Sequence, residues 1–129
     1  MSNNAQEQIN LITNKNKIRY LDISNRDLSG NVDLQEFTAL TSLNSYNNKF
    51  ESLDFLDSLP SKENLKKMNF FGNQIKELDL AHLLSTFPNL EAINIENNPT
   101  KTKNLNNLTA EQFNRLVEGI KNKKFRIIS

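Results

Sequence analysis

The chain of 129 residues has no cysteine and no tryptophan, and only three glycines, three prolines and one histidine. Without cysteine there is no disulfide framework and no thiolate metal site. With His82 as the only imidazole, most nucleophile–base pairs are also unavailable. Gly30, Gly72 and Gly119 are isolated from one another, so no glycine-rich phosphate loop exists. Acidic pairs such as Asp54 and Asp57 are accounted for by helix capping and a solvated face. An excess of one charge is missing too: sixteen basic against fifteen acidic residues leave a formal net charge of +1. That balance gives no electrostatic case for nucleic acid or for an anionic membrane. No apolar run approaches the ~18 residues that a membrane helix requires. The opening MSNNAQEQIN lacks the basic and apolar regions of a secretory signal. The expectation is a single cytoplasmic domain, not an enzyme, with no cofactor and no metal.

What the chain does have is a repeat. In LKKMNFFGNQI, residues Leu65, Met68, Phe70, Asn73 and Ile75 stand at offsets 0, 3, 5, 8 and 10. The pattern recurs from Leu40 (Leu43, Ser45, Asn48, Phe50) and from Leu90 (Ile93, Ile95, Asn98). A weaker copy runs from Ile18 (Leu21, Ile23, Leu28), with Arg26 in place of the asparagine. The intervals are 22, 25 and 25 residues. Such self-similarity marks a repeat architecture in which each unit buries its apolar face only against its neighbours.

The pattern resembles the leucine-rich repeat, L-x-x-L-x-L-x-x-N-x-L, and LDISNRDLSG is similar to the LDLSNNxLSG phrasing common in that family. The resemblance covers residues 18–99. It implies an α/β fold: a leucine-rich repeat solenoid of about four repeats, with a parallel concave sheet, short convex helices and helical caps at both ends. One domain spans 1–129, with an N-terminal cap at 4–14, repeats at 18–99, and a C-terminal cap and tail at 100–129. Extracellular members usually carry cysteine-stapled caps, so the missing cysteines favour a reducing compartment. The family is a scaffold for protein–protein recognition on its concave face.

Strands are expected around 20–24, 42–46, 67–71 and 92–96. Alternation along a strand turns offsets 3 and 5 inward and offsets 2, 4 and 6 outward. The inward set is Leu21, Ile23, Leu43, Ser45, Met68, Phe70, Ile93 and Ile95. Ser45 leaves space that Phe70 is placed to fill. Asn48, Asn73 and Asn98 should form a buried amide ladder, since one amide carries both donors and an acceptor; Asn25 is the candidate substitute beside Arg26. Asp33, Asp54 and Asp79 are read as helix N-caps of the return segments, Asp33 with Glu36 at capping-box spacing. Pro60 and Pro88 end the second and third of these helices. Residues 4–14 read as an amphipathic helix with Asn4 and Glu7 as a capping pair, covering the open edge of the first strand. Thr109 and Gln112 open a C-terminal helix whose apolar face is Phe113, Leu116, Val117 and Ile120. Thr100–Asn107 reads as loop. The tail KNKKFRIIS is either an edge strand or flap on the cap, or a basic patch for an acidic partner.

The outward positions form a grid. Tyr20, Ser42, Lys67 and Ala92 make the first column; Asp22, Asn44, Asn69 and Asn94 the second; Ser24, Tyr46, Phe71 and Glu96 the third. The second column offers hydrogen bonds to a partner's backbone or within itself. Tyr46 and Phe71 on adjacent strands are either binding anchors or a sheet-stabilising pair. The expected partner-binding set is Tyr20, Asp22, Asn44, Tyr46, Lys67, Asn69, Phe71, Asn94 and Glu96. The partner class is protein or peptide, with no nucleic acid and no membrane, and the chain is expected to be a monomer. The alternative is a repeat fragment or accessory segment of a larger signalling protein or assembly. Carboxylate chemistry through Asp22 and Glu96 is disfavoured, because three strand spacings separate them by ~14 Å, beyond the ~10 Å at which paired carboxylates work.

Overall fold

A computed structural model describes residues 3–127. Ile128, in the expected tail strand, lies outside the described residues. Nine short strands and three α-helices follow one another in the described chain: β1 Asn3–Asn4, α1 Ala5–Asn10, β2 Tyr20–Asp22, β3 Leu28–Ser29, β4 Ser42–Asn44, β5 Lys67–Asn69, β6 Glu77–Asp79, α2 Leu80–Thr86, β7 Ala92–Asn94, β8 Lys101–Lys103, α3 Ala110–Lys121 and β9 Phe125–Arg126. The main sheet is parallel, with the order β2-β4-β5-β7-β9. Parallel neighbours need a crossover, so the chain returns along one side of the sheet between strands. The register sets Leu21 beside Leu43, Leu43 beside Met68, Met68 beside Ile93 and Ile93 beside Phe125. The first three of these pairings join equal offsets of the sequence repeat. Backbone bonding continues past the strand ends, from Ser45 N–H to Asn69 O at 2.8 Å and from Asn47 N–H to Phe71 O at 2.8 Å.

All eight expected inward residues are buried, Ser45 included. Phe70 packs edge-on against Phe50 and Phe55, with ring centroids 6.3 and 5.9 Å away. Ser45 Oγ accepts from Asn48 Nδ2 at 3.3 Å, which satisfies the hydroxyl inside the stack. Asn48, Asn73 and Asn98 are all buried. Each amide donates both to its own turn and to the preceding one: Asn73 Nδ2 to Phe70 O at 3.1 Å and to Ser45 O at 2.9 Å, Asn98 Nδ2 to Ile95 O and Phe70 O, both at 2.9 Å. Each also accepts from the backbone of the preceding turn, Asn73 Oδ1 from Phe50 N–H at 3.0 Å and Asn98 Oδ1 from Ile75 N–H at 2.9 Å.

The first turn needs no asparagine of its own, because Asn48 Oδ1 accepts from both Arg26 N–H and Leu28 N–H. Asn25 does not substitute for one. It is exposed, at φ 58°, and its side chain accepts from Asn47 Nδ2. Asn25, Asn47, Gly72 and Asn97 all have φ between 56° and 73°. They share offset 7, a left-handed position that Asn and Gly tolerate best.

The return segments depart from the expected three helices. Only the third holds an α-helix, α2, whose Asp79 cap accepts from His82 N–H at 3.1 Å and whose Leu80, Leu83 and Leu84 are buried, followed by buried Phe87. The second holds a five-residue 3-10 helix, Asp54–Ser58, with Leu53 at its N-cap and no side-chain cap; Asp54, expected as the cap, is its first residue, and its N–H donates to Ser52 Oγ at 3.0 Å. The first has no helix. Its span is three residues shorter, and Asp33 accepts from Gln35 N–H in a local turn instead of a capping box. Glu36 pairs instead with Lys15 at 3.4 Å.

The ends also differ from expectation. The N-terminal helix spans six residues, with Asn4 accepting from Gln6 N–H and no reciprocal bond from Glu7. Ala5 and Ile9 enter the core, and β1 pairs with β3, so the cap attaches on the return side instead of along β2. Thr100–Asn107 is not all loop: β8 pairs parallel with β6, and Leu105–Asn107 forms a 3-10 turn. In α3 the Thr109–Gln112 capping box is present. The helix, however, turns Gln112, Arg115, Leu116 and Gly119 toward the body and leaves Phe113, Val117 and Ile120 exposed. Two contacts set that rotation. Arg115 donates to the carbonyls of Leu84, Phe87 and Leu90 at 3.2–3.3 Å, at and beyond the C-terminal end of α2. Gly119 lies so close to Phe125 that a Cβ there would stand 2.5 Å from its ring.

Candidate functional site

The outward face of the main sheet carries the expected grid, extended by one rung. Phe125 and Ile127 are buried like Ile93 and Ile95, and Ile93 N–H and Ile95 N–H bond to Lys124 O and Arg126 O at 2.9 and 2.8 Å. The register Ile93 to Phe125 and Asn94 to Arg126 therefore adds Lys124 to the first column and Arg126 to the second. The tail is an edge strand, and the same alternation that buries its apolar residues turns its cations outward.

A shallow concavity of about 420 Å³ lies on this face, lined by Tyr20, Ser42, Asn44, Lys67, Asn69, Glu91, Ala92, Asn94, Lys123, Lys124 and Arg126 together with the strand backbone. Of the nine expected binding residues, Tyr20, Asn44, Lys67, Asn69 and Asn94 are brought together here. Asp22, Tyr46, Phe71 and Glu96 stand outside the lining. Ser42 and Ala92 stand in the expected grid but outside the expected binding set. Glu91 was missed, and the tail's Lys123, Lys124 and Arg126 were expected only as a separate basic patch, the alternative to an edge strand or flap. The signal for the last two was the F-x-I alternation of the tail, which repeats the inward phasing of Ile93 and Ile95 without a leucine at offset 0.

The second column does not bond within itself. Asn69 Oδ1 accepts from Phe71 N–H at 3.0 Å, Asn94 Oδ1 from Glu96 N–H at 2.9 Å, and Asp22 Oδ1 from Ser24 N–H at 3.0 Å. Each is a side chain capping the backbone two residues on. With its oxygen so engaged, the amide nitrogen of Asn69 and of Asn94 is left as a donor on the concavity wall. The Asp22 carboxyl is held below the usual aspartate range, first by the Ser24 hydroxyl and backbone N–H and further by the Arg26 charge. Asn44 breaks the series: its Nδ2 donates to Tyr20 Oη at 3.2 Å, and its Oδ1 is buried without a partner among the described residues. Glu96 pairs with Arg126 at 2.9 Å. The Tyr46–Phe71 pair stands where the turns leave the sheet. Phe71 is 37% exposed, whereas the close ring pairs are those of Phe50, Phe55 and Phe70 inside the stack.

A second hollow of about 550 Å³ lies on the return side, lined among others by Glu51, Asp54, Asp57, Lys76, Glu77, Asp79, His82 and Lys103. Three of its five carboxylates are paired with a basic side chain, and Asp79 accepts from Asn104 Nδ2. Lys76 meets Glu51 at 2.9 Å, Lys103 meets Glu77 at 3.0 Å and His82 meets Asp57 at 3.2 Å. The Lys76 bond holds the Glu51 carboxyl down, and the Glu51 and Glu77 carboxylates hold the Lys76 and Lys103 ammoniums up. The sheet face, by contrast, keeps polar donors without partners. No helix among the described residues is long and apolar enough to cross a membrane.

Comparison of the chain with protein-family models, with curated proteins and with solved structures gives no match in any of the three.

Proposed function

We propose that the chain is a non-catalytic interaction module of the leucine-rich repeat type, a solenoid of about four repeats that holds a protein or peptide on the outward face of its sheet. The observation that carries this reading is the concavity over β2, β4, β5, β7 and the tail rung. Its floor is made small by Ser42 and Ala92, and its walls offer the Asn69 and Asn94 amides. The solenoid reading is supported by equal repeat offsets meeting in register and by the buried asparagine ladder between turns. A floor of short side chains flanked by polar donors suits an extended backbone, which needs both close approach and hydrogen-bond partners.

Phage display of random dodecapeptides on the immobilised chain tests this, with Ser42→Gln/Ala92→Gln as the counter-target. That double substitution fills the floor without adding charge, and circular dichroism checks that it folds. Peptides enriched on the wild type and lost on the variant are the expected result. Peptides retained equally by both, or no enrichment, would overturn the sheet face as the binding surface.

A further inference from the structure

We infer that this concavity selects an extended segment carrying a carboxylate side chain, seated over Ala92 between Lys67 and Lys124. The inference rests on the reading of the sheet face as a peptide-binding surface and adds the chemistry of the partner. In the first column Ala92 lies between Lys67 on β5 and Lys124 on the tail rung. Two strand spacings put the lysine Cα atoms roughly 10 Å apart. Between them the methyl of Ala92 leaves the floor open, and four-carbon stems let both ammoniums lean over the gap.

The lining holds four cations, Lys67, Lys123, Lys124 and Arg126, against the single carboxylate of Glu91, in a chain whose net charge is only +1. Arg126 is tied to Glu96. Lys67, Lys123 and Lys124 make no ion pair among the described residues, unlike Lys15, Lys49, Lys76 and Lys103. A carboxylate at this place would meet two ammoniums and the Asn94 amide in charge-assisted bonds, which are about twice as strong as neutral ones. The opposite end of the concavity is Tyr20, 57% exposed. Four strand spacings from β2 to β9 span about 19 Å, the length of about six extended residues. The fitting ligand is therefore a short strand with an acidic residue toward one end and an apolar or aromatic residue toward the other. A nucleic acid fits less well: the lining has a single aromatic ring for base stacking, and its cations do not continue into a stripe.

Fluorescence anisotropy on the intact chain tests this with two labelled pools of end-capped heptapeptides, one with Glu at the second or the sixth position and one with Gln there, and with labelled oligothymidine as a third probe. The Glu pool should bind at least tenfold more tightly at low salt, with the preference shrinking as salt is raised. Lys67→Gln/Lys124→Gln should reduce Glu binding to the Gln level, and Lys101→Gln, on β8 outside the main sheet, should leave it unchanged. Equal binding of both pools, lost in Ser42→Gln/Ala92→Gln, would overturn the acidic preference and leave the peptide-binding surface standing. A Glu preference that survives in the double lysine variant would overturn the seat. Binding of oligothymidine alone would overturn it in favour of nucleic acid, and binding of no probe would overturn both readings.

Discussion

Replacing Asn73 by Ala removes the middle rung of the amide ladder. Three hydrogen bonds go with it: Nδ2 to Ser45 O, Nδ2 to Phe70 O, and Phe50 N–H to Oδ1. The groups left behind do not suffer equally. Ser45 O still accepts from Asn48 Nδ2 at 3.2 Å, and Phe70 O still accepts from Asn98 Nδ2 at 2.9 Å. Phe50 N–H has no second acceptor, and Phe50 is fully buried. Losing one of two donors at each carbonyl is worth about 0.5 kcal/mol, and stranding the buried N–H about 1–3 kcal/mol, so the expected loss is about 2–4 kcal/mol. For a domain of this size that is a fall in Tm of roughly 10 °C. Asn69→Ala is the control. It removes one bond, from Phe71 N–H, at a solvent-facing strand end, and about 1 kcal/mol or less should follow. Urea unfolding followed by circular dichroism measures both, as the chain has no tryptophan to report by fluorescence. A loss at Asn73 below about 1 kcal/mol, or equal to that at Asn69, would refute the claim that the ladder holds successive turns together.

Gly119→Ala should destabilise by about 1–3 kcal/mol through overpacking against Phe125, although Ala is favoured over Gly by about 1 kcal/mol in a helix interior. A raised Tm would show that α3 does not rest on the tail rung. The Asp79 carboxyl is held below its usual range, first by the His82 backbone N–H and then by Asn104 and neighbouring cations. A depressed folded-state pKa adds stability at pH values above the unfolded pKa and loses it as pH falls through the folded one. Asp79→Ser keeps a cap that does not titrate, so its unfolding free energy should fall less steeply than the wild type's below about pH 4. Parallel pH profiles for the two proteins would remove Asp79 from the acid response.

Spacing decided most of the main sheet. Offsets 3 and 5 located every inward residue of β2, β4, β5 and β7, and offset 8 located the three buried amides, because parallel strands paired at equal offsets give each equal position the same neighbours. The second-column asparagines were placed correctly on the outward face, yet their bonding was not legible: a side chain that caps its own backbone leaves no mark in periodicity. The return segments were legible only where the signals were long. Leu80, Leu83, Leu84 and Phe87 make two helical turns and form α2, whereas the shorter apolar sets at 32–37 and 55–59 bury equally well without an α-helix.

The sequence by itself determined the repeat, its inward and outward faces and the amide ladder, since each follows from local alternation and a fixed interval. Only the tertiary structure decided what closes the stack. The face that α3 turns inward depends on Arg115 reaching three carbonyls at the end of α2 and on Gly119 admitting the Phe125 ring, contacts between residues 6 to 31 positions apart. The tail joins as the fifth strand through hydrogen bonds to β7, about thirty residues back. That pairing brings Lys124 and Arg126 beside Ala92 and Asn94 and turns a polar sheet face into a basic concavity. The F-x-I alternation marks the tail as a strand, but which strand it joins is not written locally, because the pairing energy comes from partners that only folding brings together.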